Sequence, residues 1–248
     1  MIIHIPHASE IIPQPFRDQF VLLDEELAAE LLRMTDHFTD ELFAFVPATT
    51  LRFSLSRLVV DVERFAEDTK EPMSQVGMGM IYTRTAYGNA LKRTIQPHER
   101  QRLLKCYQEH HDKLSDEVII ELDRIGLTLI IDCHSFPSKP LPCDMDQRTP
   151  RPEFCIGTDP YHTPPDLVEI AANHLVKLGY RVEIDRPYAG TLVSMGFYKK
   201  DRRVLSMMIE VNRRLYMDET TGAKTDSFES VRAHLHTLLV AMNDYQYS

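Results

Sequence analysis

The sequence predicts an α/β fold of three layers, a central mixed and mostly parallel sheet flanked by helices, over residues 1–248 as one domain. Short apolar runs that end at turn residues alternate with stretches of helical period along the whole chain, the pattern of strands and the helices that cover them. The run Leu127-Thr-Leu-Ile-Ile-Asp132 is apolar without alternation, which suits a central strand covered on both faces. No repeat, low-complexity segment or linker divides the chain.

Each element follows from local pattern. Met1 to Pro6 is a short apolar run stopped by proline, a buried strand feeding a loop. Asp24 to Phe45 reads as one helix, because Leu27, Leu31, Leu32, Met34, Phe38, Leu42 and Phe45 recur at helical spacing. Asp24, Glu25 and Glu26 suit its N-terminal turn. A strand is expected from Ser56 to Val62, then a loop rich in charge and proline from Glu63 to Ser74. Gly77 to Thr83 reads as another short strand. Pro97 to Arg124 is the longest helical pattern, with proline in its first turn and Gly126 ending it. The strand 127–132 is followed by a loop, 136–153, with five prolines. A strand near Phe154 to Ile156, a helix from Pro165 to Leu178, strands at Arg181–Ile184 and Val204–Val211, and a closing helix over Ser227–Asn243 complete the order.

Composition narrows the function. The 248 residues are 43% hydrophobic and 26% charged, ordinary for a globular protein. A chain of this length buries enough core to fold without metal or disulfide staples, so a metal here would serve chemistry. Twenty-eight basic against 37 acidic residues leave a net charge of −9. That disfavours nucleic acid, which needs a basic surface, but a few arginines in one cleft still suit a small anionic substrate. Cys106, Cys133, Cys143 and Cys155 form no Cys-x-x-Cys pair, and reduced thiols in a cytoplasmic protein are the simplest reading. Neither a signal peptide nor an apolar run of about 18 residues is evident, so no membrane partner is expected. The sequence sets no oligomeric state.

Ligands gather beyond the carboxyl ends of strands in open α/β sheets. Two such ends carry histidine followed by small polar residues, Pro6-His7-Ala8-Ser9 and Asp132-Cys133-His134-Ser135, and a third carries Glu210 in Ile209-Glu-Val-Asn-Arg213. Two imidazoles and a carboxylate at one sheet edge are what a metal site requires. Asp132 is a candidate acceptor for the second ring N–H of His134. For a third ligand, Glu10 offers the His7-x-x-Glu10 spacing of zinc carboxypeptidases, and Asp36 lies in an unusually polar helical turn with His37 and Asp40. The residues alone leave both open.

Taken in order, Ile3-His-Ile-Pro-His-Ala-Ser, Met34-Thr-Asp-His-Phe-Thr-Asp-Glu-Leu42, Ser56-Arg-Leu-Val-Val-Asp61, Asp132-Cys-His-Ser-Phe-Pro137 and Glu210-Val-Asn-Arg-Arg-Leu-Tyr-Met-Asp218 resemble the N-formylglutamate amidohydrolase family, related to zinc carboxypeptidases and aspartoacylase. The resemblance implies a carboxypeptidase-like sheet, one Zn2+ ion and hydrolysis of the amide of a small anionic N-acyl amino acid, N-formylglutamate by default. It assigns His7, Asp36 and His134 to the metal, Glu210 to the general base, and Arg57 or Arg64 to the oxyanion or a substrate carboxylate. Asn212 and Arg213 join Arg64 as substrate-binding candidates. Glu63 stands where the family pattern has asparagine, a departure that bears on substrate identity.

Imidazole and carboxylate ligands also suit manganese, iron or nickel. Competing readings are a carboxypeptidase or amidase acting on a peptide or cell-wall fragment, and a metal-binding protein without catalysis. A serine hydrolase lacks its Gly-x-Ser-x-Gly elbow despite Ser9 and Ser135. Cys133 and His134, adjacent on a strand, face opposite ways. The loop after Phe136 and the segment Tyr188-Ala-Gly190-Thr191 are expected to wall the cleft.

Overall fold

The apolar runs lie side by side as strands in a computed structural model of the chain, which describes residues 1–246. In chain order the elements are β1 (Ile2–Ile5), α1 (Gln14–Arg17), α2 (Asp24–Met34), α3 (Thr39–Leu42), β2 (Thr49–Arg52), α4 (Pro97–Ile125), β3 (Thr128–Phe136), β4 (Phe154–Gly157), α5 (Pro165–Lys177), β5 (Val182–Ile184), β6 (Val204–Asn212) and α6 (Phe228–Gln246). Among the described residues, six strands form one sheet in the order β2-β1-β3-β6-β4-β5. β2, β1, β3 and β6 run parallel, β4 is antiparallel to β6, and β5 is parallel to β4. The sheet is mixed and mostly parallel, as the sequence predicts.

Strand alternation sorts the side chains into two layers. Ile3, Ile131, Cys133, Met207 and Ile209 pack with Leu167, Ala171 and Leu175 of α5 and with Leu235 and Leu239 of α6. Ile2, Ile130 and Val204 take the other face, against Leu114 and Val118 of α4. The same parity sends His4, Asp132, His134 and Glu210 to the α4 face. Register then sets His4 beside Asp132 and His134 beside Glu210. Every residue of β3 and β6 is buried, the burial expected of central strands covered on both sides. Among the described residues, no helix is long and apolar enough to cross a membrane.

Three local expectations need correction. The single helix over Asp24–Phe45 is two, broken where Thr35 turns extended (φ −78°, ψ 139°) and Phe38 adopts a left-handed φ of 63°. The cause is polar and tertiary: the Asp36 N–H donates to the His7 carbonyl at 3.0 Å, and the Thr39 hydroxyl donates to the Asp36 carbonyl at 2.9 Å. Residues 56–62, buried except for half-buried Arg57, form a turn-containing loop instead of a strand. Their N–H groups find scattered acceptors, Ser56 on Ile11 and Asp61 on Met80, so no ladder is needed to satisfy them. Residues 77–83 curl into a loop closed by a Met78–Tyr82 bridge. β2, an edge strand at Thr49–Arg52, has too short an apolar pattern to stand out in sequence.

At Gly157 the sheet packs tightly against the loop that follows β5. A Cβ there would lie 2.3 Å from the Gly190 carbonyl oxygen and 2.3 Å from Met208 Cε. Gly157→Ala is therefore expected to lower stability by roughly 1–3 kcal/mol through overpacking. A urea midpoint equal to that of the parent chain would show that this contact is not limiting.

Candidate active site and metal centre

Three separate elements deliver one donor group each. His7 lies just beyond β1 after Pro6, Asp36 sits in the break between α2 and α3, and His134 projects from β3. All three are buried, with ligand atoms within 4.8 Å of one another. His7 Nδ1 is 3.5 Å and His134 Nδ1 3.1 Å from Asp36 Oδ2. The opposite ring nitrogens meet carboxylates, His7 Nε2 at 2.9 Å from Asp61 and His134 Nε2 at 3.0 Å from Asp132. With Nε2–H given to a carboxylate, the neutral imidazole keeps its lone pair on Nδ1, the tautomer a metal-binding imidazole needs. His7 Nδ1 is buried without a hydrogen-bond partner among the described residues, an orphan that a cation would satisfy.

The electrostatics agree. Burial would raise the Asp36 carboxyl, but His134, His7 and Arg213 hold it well below the usual carboxylate range. Burial would lower His134, but Asp132, Asp36 and Glu210 push it well above the usual imidazole range. The pocket thus demands positive charge, and a divalent cation meets that demand. The residues present fit a metal ion.

Glu10 is not in this set. Its side chain is 55% exposed and reaches only His37, at 4.0 Å, because Ser9 is anchored to the Ser54 carbonyl at 2.7 Å and turns the next residue outward. Asp36 also explains Arg213, which donates through Nη2 to Asp36 Oδ1 at 2.9 Å, through Nε to Ser135 Oγ at 3.2 Å, and through Nη1 to the Arg33 carbonyl. Arg213, expected to bind substrate, lines the cleft with its Nε, Nη1 and Nη2 engaged in holding the acid and its surroundings. Asn212, expected beside it, is fully buried, donates to the Pro152 carbonyl at 2.8 Å and does not line the cleft. Its strand-end position bends it into the loop before β4 instead of toward a ligand.

Glu210, Arg57 and Arg64 do line the cleft, a cavity of about 610 Å³ that includes the donor set. Glu210 Oε2 is buried with no hydrogen-bond partner among the described residues. Burial, aided by Asp36 and opposed by His134, raises Glu210 to about 8. Arg57 donates to Asp61 through Nη2 at 2.9 Å and through Nε at 3.3 Å, while the Tyr82 hydroxyl donates to the same carboxylate at 2.6 Å. Asp61 joins His7, Arg57 and Tyr82 in one hub. The sequence places Asp61 in the segment with Arg57 but carries no sign that it partners His7, since that contact spans 54 residues.

The two walls form as expected. Buried Arg151 donates to Asp144 at 2.6 Å and to the Pro137 carbonyl at 3.2 Å, clamping the loop after β3. Tyr188 donates to Asp144 at 3.0 Å from the opposite wall. The Cys133 thiol lies on the other face of β3, bonded to the Ile131 carbonyl, so no cysteine–histidine pair exists there.

A second donor group, His4, Glu63 and Asp132, lies behind the first. His4 Nδ1 is 3.0 Å from Asp132 and 3.2 Å from Glu63, and His4 Nε2 is 2.8 Å from His110 Nε2. Burial would lower His4, but the two carboxylates outweigh it and raise it to about 9, while burial and the neighbouring charge on His4 drop His110 to about 2. The cluster reads as an imidazolium held between two carboxylates, with neutral His110 accepting its second proton. Because the folded value exceeds the unfolded one, the stabilisation is fully present below about pH 6.5 and lost as pH rises through about 9. Between pH 6 and 9.5 the parent chain is expected to lose on the order of 3 kcal/mol more unfolding free energy than His4→Asn. Urea titrations at the two pH values check this, and parallel losses in the two proteins would contradict it.

A family model described as N-formylglutamate amidohydrolase matches residues 1–217. The crystal structure of N-formylglutamate amidohydrolase from Ralstonia eutropha JMP134 superposes with a TM-score of 0.86 at 23% identity, covering 99% of this chain and 93% of that one. A gene product of Agrobacterium tumefaciens superposes with a TM-score of 0.65 at 20% identity, over 100% of this chain and 91% of that one. At those identities the two structures speak for the fold. No curated protein matches in sequence. On the match over residues 1–217, the chain belongs to the N-formylglutamate amidohydrolase family.

Proposed function

We propose that this single-domain chain is a metal-dependent amidohydrolase that cleaves the amide of a small N-acyl amino acid, with N-formylglutamate as the reference substrate. The observation that carries the reading is the convergence of two Nδ1 atoms on Asp36 in the same cleft as a buried, unpartnered Glu210 oxygen. His7, Asp36 and His134 would hold one divalent ion, with Asp61, Asp132 and Arg213 fixing their orientation. When bound, zinc or a similar ion supplies a Lewis acid that acidifies water and polarises the acyl carbonyl.

The remaining work falls to side chains. Glu210 takes a proton from the attacking water and returns it to the leaving nitrogen, general base and then general acid. Its carboxylate form is favoured once the triad holds a cation, because a nearby positive charge stabilises the anion. Arg57 is braced by Asp61 and Tyr82 through Nε and Nη2, which leaves Nη1 to meet the oxyanion. Arg64 carries a buried Nε with no hydrogen-bond partner among the described residues, and its planar fork suits a substrate carboxylate.

The purified protein is expected to release free amine from N-formyl amino acids only when loaded with a divalent metal, and to lose activity on chelation. Glu210→Gln, loaded to the same metal content, is expected to lose about 10²- to 10⁴-fold in kcat with its urea midpoint preserved. A metal-free chain that stays fully active, or a Glu210→Gln protein with parental turnover, would overturn the reading.

A further inference from the structure

We infer that the cleft takes an N-acyl amino acid with one carboxylate and an otherwise apolar body, in preference to a dicarboxylate such as N-formylglutamate. The inference rests on the amidohydrolase reading and narrows its substrate. Among the described residues, the guanidinium groups of Arg33, Arg57, Arg64 and Arg213 face seven carboxylates around the cleft. Arg213 is committed to Asp36, Ser135 and the Arg33 carbonyl. Arg57 is committed to Asp61 and Tyr82, with one nitrogen left for the reacting carbonyl. Arg33 is paired with Glu30 at 3.1 Å, lies 5.1 Å from the centre of the Tyr87 ring, and has a side chain 37% exposed, where solvent screens any ionic grip. Arg64 is different: its nearest carboxylates, Asp61 at 3.7 Å and Glu71 at 3.9 Å, stand beyond hydrogen-bond distance. One fork with unmet donors holds one carboxylate.

A second carboxylate has no comparable place. Glu63, next in sequence to Arg64, also lines the cleft and is paired from behind by His4 at 3.2 Å, so this wall presents an acceptor and no donor. Like charges brought together there oppose binding. Apolar and adaptable side chains, Met73, Met78, Leu141, Leu192, Val193 and Met195, make up much of the remaining lining. A volume of about 610 Å³ falls in the range of roughly 300–1,000 Å³ typical of pockets for drug-sized ligands, far more than a formyl group and a short acid fill.

The test compares N-formyl-L-norleucine with N-formyl-L-glutamate, whose side chains have similar length and differ in charge. Calorimetry on zinc-loaded Glu210→Gln reads binding without turnover, and kcat/KM on the zinc-loaded parent chain is a parallel arm that needs no variant. The norleucine compound is expected to bind at least about tenfold tighter, with affinity rising about fourfold per methylene added along the side-chain series. Glu63→Gln is expected to narrow the gap by strengthening the glutamate compound. Equal or better binding of N-formylglutamate, or no binding of either, would overturn the inference. Preferential binding of the norleucine compound without hydrolysis in the parent chain would leave the one-carboxylate site standing and remove the amidohydrolase reading instead.

Discussion

Asp36 sets the terms for everything around it. A carboxylate withdrawn from water is tolerated only when charge and hydrogen bonds replace the solvent on both of its oxygens. Here Oδ1 is met by Arg213 and Oδ2 by the inward nitrogens of His7 and His134. That arrangement explains the interruption of the helix at Thr35, since a continuous helix would keep residue 36 in register with its apolar neighbours. It also explains the burial of Arg213 at the end of β6, whose N–H groups reach both Asp36 and the preceding turn. Fold and site share one set of contacts.

The same logic repeats one layer outward. His7 leans on Asp61, His134 on Asp132, and each of those carboxylates is itself compensated, Asp61 by Arg57 and Tyr82, Asp132 by His4 and the Leu192 N–H. Each imidazole is thus clamped in ring orientation, with its outer nitrogen held against a carboxylate, before any ligand arrives. Such outer carboxylates orient the imidazoles and raise their basicity. Glu210, like Glu63, keeps one buried oxygen without a hydrogen-bond partner among the described residues, but Glu210 stands in register beside His134, where such an oxygen is a natural place for proton transfer.

Much of this was legible in the residues. The long apolar run near 127–132 and the matching run at Val204–Val211 identify the central strands, because burial on both faces erases alternation. Once those strands lie side by side, His134 and Glu210 fall in register. What stayed hidden depends on tertiary contact. The apolar period across Asp24–Phe45 reads as one helix because periodicity carries no record of the His7 carbonyl that claims the Asp36 N–H. Leu58, Val59 and Val60 read as a strand because burial and β propensity look alike in one dimension. Arg213 and Asn212 sit at the expected strand end, but which way each side chain turns is decided by Asp36 and by the Pro152 carbonyl, remote in sequence. Glu63 is the instructive case: alone it reads as a stray charge beside the cleft, and His4, 59 positions earlier, tethers it from behind while its carboxylate still lines the cavity.

The central claim is that one cation belongs between His7, Asp36 and His134, gripped through Nδ1. The most direct measurement is anomalous X-ray scattering at the metal absorption edge from crystals of the zinc-loaded protein. One peak per chain, in contact with both Nδ1 atoms and Asp36 Oδ2, is the predicted result. Contact through Nε2, or a peak seated at His4, Glu63 and Asp132 with the first site empty, would contradict it.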